Sequence, residues 1–432
     1  EISPILTRLD TVNLSRQVKF SEESQSATLN LNNRLADIQI SSSAINRNQF
    51  KANITSPKID LAKLLSDNGS HTLNHTSLDI YASGVLKDKN GKPHINIHTI
   101  LPLLCIQERE YRNLDIKTTL AGNTISVDAE GKDNEGEIRS HLTLTNGHRR
   151  HLQGTLQIEN LRTERLGLGK MHPDARLYLN TEVNVSATDI DDIRGSLSIN
   201  DFIVETNEQD STIAHLPQFT LNTDIDAKGF RTLYIDSEPL KLDAQGHYRF
   251  STLAATIQNT LHKRLPNLIE AKNIYARADD LQFALSLQDT VLLDRLGMKG
   301  VCIPERLHFY GSMHGNDSLD ITADIPFIKF GKEHLRNSSI RINGTKNDLT
   351  ADVTTERLQK SGFITVYLKS SAHDNRLRLI AGADNKRKPA YKGEMDITAN
   401  FARNTGGKRE VNVWIAPTDL TISDTLWNVH PA

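Results

Sequence analysis

Between Leu177 and Ala187, aliphatic side chains stand at 177, 179, 183, 185 and 187, and Tyr178, Asn180, Glu182, Asn184 and Ser186 fill the places between. Side chains alternate across a strand, so this spacing makes one face apolar and the other wet. The same period of two returns at Leu114/Ile116, Ile125/Val127, Leu156/Ile158, Leu197/Ile199, Phe219/Leu221, Leu319/Ile321/Ala323/Ile325, Met395/Ile397/Ala399/Phe401 and Val411/Val413/Ile415. The pattern predicts a mainly β chain, almost all of it one-sided antiparallel sheet. Helical spacing long enough to cover the apolar face is nearly absent. What covers that face therefore decides what the chain does.

At 432 residues the chain exceeds the roughly 250 to 300 at which single cores stop growing, so it must split into domains or extend as a stack. Linker-like Gly/Ser/Pro runs are missing and the 13 prolines are scattered, which favours one elongated, folded-over antiparallel sheet. Three segments are expected: a groove segment over 1–250, a helix-strand-helix insertion over 251–300, and a second groove segment from 301 to 432. Lysines and arginines number 51 against 53 acidic residues, leaving no basic field for nucleic acid. Aromatics are 5% of residues, too few for stacking platforms or for the girdles of an outer-membrane barrel. No run of eighteen apolar residues occurs, and Glu1 carries neither an initiator Met nor a signal-peptide pattern, which reads as an excised fragment.

Turn signals stand where the alternation breaks, at Asn90-Gly91, Asn146-Gly147, Lys228-Gly229, Asn343-Gly344 and Gly406-Gly407, and predict up-and-down meanders. Leu78-Asp79-Ile80, Leu114-Asp115-Ile116, Leu319-Asp320-Ile321 and Met395-Asp396-Ile397 share one pattern at irregular spacing, which reads as structural repetition without a fixed period. From Ser251 to Leu265 the spacing changes: Ile257, Leu261 and Leu265 lie four apart and Pro266 follows, predicting an amphipathic helix. After a strand through Leu281, Phe283, Leu285 and Leu287, a second short helix is expected from Asp289 through Leu292, Leu293 and Leu296 to Gly297. A weaker helical turn is expected from Asp60 to Leu65. Packing is the expected role of the first two helices, since the first has few cations and the second is too short to bind a bilayer well.

Catalytic and cofactor chemistry finds little purchase. Gly167-Leu-Gly-Lys170 lacks the P-loop spacing, and no Gly-x-Gly-x-x-Gly opens a helix after a strand. Gly311-Ser-Met-His-Gly315 resembles a nucleophile elbow only with Ser312 one place early. His94 and His98 share a strand face but stand roughly 13 Å apart, too far for one zinc ion; His71/His75 and His148/His151 lie in turn-like sequence. Asp189-Ile-Asp-Asp192 lacks the glycine and distal glutamate of a calcium loop and reads as a solvated turn. Cys105 and Cys302 sit in apolar runs and read as unpaired, buried, inert thiols. The expectation is a non-enzymatic chain with no cofactor and no metal.

The remaining chemistry is the apolar face. Were hairpins to stack and the sheet to curl lengthwise, about thirty strands spaced about 4.8 Å apart would form a trough on the order of 140 Å long, wide enough for acyl chains. A closed sandwich would bury the same residues against one another. Periodicity alone does not separate the two. In a trough, the inward candidates for lipid contact are Leu114, Ile116, Leu177, Leu179, Val183, Val185, Leu197, Ile199, Phe219, Leu221, Leu319, Ile321, Ile325, Ile397 and Phe401.

Three stretches carry a resemblance: Leu420 to Pro431, Ile193 to Phe202, and Leu307 to Ser312 running into Leu319 to Pro326. They are degenerate β-repeat patterns, and in them the chain resembles the TamB family, within the wider AsmA-like group. That resemblance implies an inner-membrane anchor helix in the full-length protein, a folded-over periplasmic β-sheet with a hydrophobic groove, and phospholipid as cargo toward the outer membrane. It also implies a part in outer-membrane protein assembly with an Omp85-type (TamA-like) barrel partner. On this reading the chain is an internal periplasmic piece, with Trp427 leading into further repeats. The alternative is a scaffold or chaperone that pairs its strand edges with unfolded outer-membrane strands.

Overall fold

The computed structural model describes residues 13–20, 25–32, 36–44, 48–60, 73–106, 109–166, 174–206, 211–273, 279–289, 300–359, 362–387 and 389–429. Among them lie 26 strands, two short 3-10 turns at Thr163–Leu166 and Ile190–Asp192, and one α-helix, Leu253–Arg264, called α1 here. The chain is mainly β and antiparallel, as the alternation predicts. The expected helix through Leu292 and Gly297 and the turn through Leu65 lie outside the described residues. No described helix is long and apolar enough to cross a membrane.

Residues 1–188 with 195–218 form one compact unit, and residues 189–194 with 219–432 a second; the 251–300 segment belongs wholly to the second. In the first unit each strand from Asn13–Phe20 to Ala175–Ala187 pairs antiparallel with its neighbours in sequence. In the second the same meander runs from Phe219 to the Tyr391–Arg403 strand. That last strand carries two partners end to end, Arg409–Ile415 along residues 397–403 and Thr418–Ile422 along 391–393. Among the described pairings none joins the ends of either run, so the sheet is open.

Register slips bend these sheets. The pairing shifts between Ile158 and Leu161 and between Arg336 and Ser339, and in each gap an asparagine takes the left-handed conformation, Asn160 at φ 56° and Asn337 at φ 48°. Asparagine tolerates that region better than other non-glycine residues, and a bulge built on it adds bend and twist. Turn chemistry follows the sequence at Gly91, Gly229 and Gly407, all at positive φ. Asn343-Gly344 departs from expectation. It ends the Glu333–Gly344 strand rather than making the turn, because Gly344 is held between Leu319 and Leu349 in the ladder.

The helix is where expected but turned differently. Ile257, on the apolar stripe, is 43% exposed, while Thr256, Thr260 and Arg264 are sealed from solvent. Hydrogen bonding explains the choice. Asp279 accepts from the hydroxyls of Thr252 and Thr256. Arg264 donates to the carbonyls of Asn316 and Asp317 at 3.0 and 2.7 Å and to that of Thr345. These carbonyls belong to hairpin turns, whose backbone groups lack ladder partners and need donors. Leaving them bare would cost about 1–3 kcal/mol each, comparable to burying one aliphatic side chain. Beyond α1, Asn375 and Phe401 accept from the backbone and side-chain amides of Asn267 at 2.7 and 3.0 Å. The helix and its extension thus run along one row of turns in the second unit.

Candidate functional site

Register turns the sequence alternation into continuous rows. In the first unit Ile54, Ile80, Thr99, Ile116, Ala129, Ser140, Leu156 and Thr181 stand opposite one another, strand by strand. Two residues along, the row reads Ala52, Ala82, Ile97, Thr118, Val127, Leu142, Gly154 and Val183; the next reads Phe50, Gly84, Ile95, Leu120, Ile125, Leu144, Leu152 and Val185. Leu114 faces Leu101 and Gly131, Leu179 faces Ile158, and Leu177 faces Leu161. Leu197 and Ile199 follow Gly195, which lies against the Cα of Val185.

The second unit repeats the arrangement. Leu221, Ile235, Leu242, Leu285, Phe309, Ala323, Ile340, Val353, Leu368, Ala381 and Met395 form one row. Ile321 stands between Gly311 and Ile342, Ile397 between Leu379 and Ile415. Phe401 meets Val411, while Phe219 and Ile325 meet the serines 237 and 338.

Most of these side chains are only half-buried. Of the fifteen candidate residues, Leu177 at 3% exposure and Leu319 at 7% are the closed ones; the other thirteen are intermediate. A fully buried leucine gains about 2 kcal/mol from leaving water, so each half-open aliphatic leaves on the order of 1 kcal/mol unrealised. The tightest packing is local: Leu161, Ala175 and Leu177 beside the Asn160 bulge, and Met313, Leu319, Ala323, Ala372 and Leu265 in the second unit.

The opposite face is charged and paired. Arg378 bonds Asp396 at 2.6 Å and Arg336 bonds Glu356 at 2.7 Å. The hydrogen bond from Arg378 holds the Asp396 carboxyl below the usual carboxylate range, and Arg336 does the same to Glu356. A concavity of about 740 Å³ on this face of the first unit is lined by Ser41, Lys51, Asn53, Tyr81, His98 and Lys117. One of about 460 Å³ in the second is lined by Gln245, Gln282, Tyr310, Ser312 and Asp320. Ser312 sits inside a paired strand opposite Asp320, not on a strand-to-helix elbow. His98 lies 2.9 Å from Asp115, and no metal-type cluster occurs among the described residues.

Two sequence readings change. Cys105 and Cys302 are free thiols, half-buried rather than buried. Asp189 to Asp192 is a capped 3-10 turn, and the Asp191 carboxylate accepts the Ser251 backbone N–H at 3.0 Å and its hydroxyl. Burial alone would raise Asp191, but the Ser251 bonds hold it below the usual range.

One group on the apolar face has no counterpart in the sequence reading. Arg231 shares its parity with Leu233 and Ile235 and stands between Ile225 and Gly246. It is 1% exposed, with its guanidinium 4.5 Å from the Phe250 ring and 5.6 Å from that of Tyr248. The available signal was a cation at an apolar parity position.

Fold and face together define an open antiparallel β protein with one apolar, half-exposed side. No family model, curated protein or solved structure matches the chain.

Proposed function

We propose that the chain is a periplasmic conduit segment of an inner-membrane-anchored, TamB-type AsmA-like protein, binding lipid acyl chains along its apolar face and supporting phospholipid passage toward the outer membrane. The observation that carries this reading is the run of half-open aliphatic rows in each unit. An acyl chain lying across such rows recovers the unrealised burial, at about 0.8 kcal/mol per methylene. Leu114, Ile116, Val183, Val185, Ile321 and Ile397 would solvate the tail. No step of bond making or breaking is required, and selection would be for apolar length and width.

The test is parity. Photo-cross-linking residues at the half-buried positions Val183 and Val185 are expected to capture phospholipid, and those at the exposed positions Glu182 and Asn184 are not. Equal capture at both parities would end the conduit reading.

A second reading has its own observation. The Arg409–Ile415 strand is exposed at all seven positions, and its described pairing is with the Tyr391–Arg403 strand alone. An edge of that kind suits strand addition by an Omp85-type barrel or an unfolded outer-membrane strand. Barrel capture lost in Val413→Pro, with no lipid at Val183 or Val185, would move the assignment to scaffolding.

A further inference from the structure

Three hydrogen-bonding groups on the apolar face of the second unit are buried and unpartnered: Nε and Nη1 of Arg231, the hydroxyl of Tyr248 and the hydroxyl of Thr223. They are neighbours. The Tyr248 ring lies 5.6 Å from the Arg231 guanidinium, and Thr223 is diagonal to Arg231 across the strand pair. The third arginine nitrogen, Nη2, donates to the Asp191 carbonyl. The neighbouring carboxylates are engaged elsewhere, Asp191 by Ser251 and Asp192 by the backbone N–H of Asp189. Burial pushes the guanidinium pKa down, yet an arginine keeps its charge in proteins.

Buried polar groups in native proteins find partners, so a cluster of unpaired donors asks what completes it. Arg231 offers Nε and Nη1, two charged donors that point from different edges of the guanidinium, each suited to a carboxylate or phosphate oxygen. Tyr248 adds an O–H, since burial pushes its pKa up to about 12 and the phenol stays protonated. A ligand that fits accepts from a free arginine nitrogen and from the phenol, which selects an oxyanion. The surrounding positions, Ile225, Leu233 and Leu281, are aliphatic, which selects an apolar body attached to it.

We propose that Arg231 and the Tyr248 hydroxyl bind the oxyanion head, phosphate or carboxylate, of an amphiphile whose tail lies along the apolar face. This rests on the acyl-binding reading and gives that site a head-group preference.

The experiment is calorimetric titration of the full chain with three probes: dodecyl phosphate, dodecyl maltoside and inorganic phosphate. Dodecyl phosphate is expected to bind at least tenfold more tightly than dodecyl maltoside. Arg231→Met and Tyr248→Phe should erase that preference while leaving the maltoside affinity unchanged. Because Arg231→Met risks misfolding, Arg231→Lys serves beside it: it keeps the charge, loses the fixed planar donors, and should reduce the preference severalfold. Equal affinity for both amphiphiles in the unaltered chain would overturn the head-group site and leave the acyl reading standing. Failure of both amphiphiles with Arg231-dependent binding of inorganic phosphate would keep the oxyanion site, assign it to a free anion, and defeat the acyl reading. No response to any probe would overturn both, leaving water as the partner of Arg231.

Discussion

Thr256 donates its hydroxyl to the Asp279 carboxylate at 2.6 Å, and solvent reaches neither side chain. The same carboxylate accepts from the Thr252 hydroxyl at 2.8 Å and from the Arg249 backbone N–H at 3.0 Å. One acid thereby fixes the start of α1 against the sheet. Asp279→Ala removes the acceptor for all three donors and is expected to cost about 3 kcal/mol, with Asp279→Asn costing roughly half as much. Urea denaturation checks both, and amide exchange should loosen first in residues 253–264. A cost below about 1 kcal/mol for the alanine variant would mean that the apolar contacts of Leu265 hold the helix instead.

Glycines on the apolar face divide by what stands in their way. A β-carbon at Gly154, whose φ is 154°, would enter the backbone of the neighbouring strand at His141 and Leu142. At Gly131 it would meet only the end of the Leu114 side chain, which can rotate. Gly154→Ala is therefore expected to lose more than about 2 kcal/mol, and Gly131→Ala to stay within about 1 kcal/mol of the parent. Parallel denaturation curves decide it. Equal losses would show that the Leu114 contact is as rigid as backbone.

The alternation between Leu177 and Ala187 carried the strand, its face and its neighbours, because a period of two has one solution once a side is dry. The same holds for Leu319 to Ile325. Bulges escaped, since Asn160 and Asn337 signal a left-handed residue only once the partner strand is known. The face of α1 escaped for a different reason: apolar spacing at Ile257 and Leu261 records hydrophobicity, whereas the helix turned to satisfy carbonyls at Asn316, Asp317 and Thr345 that sequence does not place nearby. The division at 218/219 falls inside the Ser211–Ile225 strand, where no composition change marks it. Arg231 was readable as a cation among Leu233 and Ile235, but its unpaired nitrogens were not.

Burial pushes the Tyr248 phenol up to about 12, against the opposing pull of the Arg231 charge. An unfolded tyrosine ionises near 10. Between those values the unfolded chain releases a proton that the folded chain retains, so the stability linked to Tyr248 is complete below about pH 10 and is lost as pH rises toward 12. The loss is on the order of 2 kcal/mol. Tyr248→Phe has no phenol to ionise, and its stability should fall less steeply over that window. Denaturation of both proteins at several pH values from 9 to 11.5 measures the difference. Identical slopes would mean that the ring is open to water.

Ile321 and Ala323 lie two apart on one strand, on the same face, and differ in closure: Ile321 is half-buried and Ala323 is at 0% exposure. A carboxylate introduced at Ala323 has no route to water and no partner, so Ala323→Asp is expected to cost more than about 4 kcal/mol. Ile321→Asp keeps access to solvent through the open side and should cost about 1–2 kcal/mol, leaving a folded chain. If the apolar face carries acyl chains, that folded variant should lose most of its lipid, measured by extraction and mass spectrometry of the purified protein. Unfolding of Ile321→Asp would place the residue in a closed core. A folded Ile321→Asp that retains its full lipid complement would show that tails do not pass over this strand.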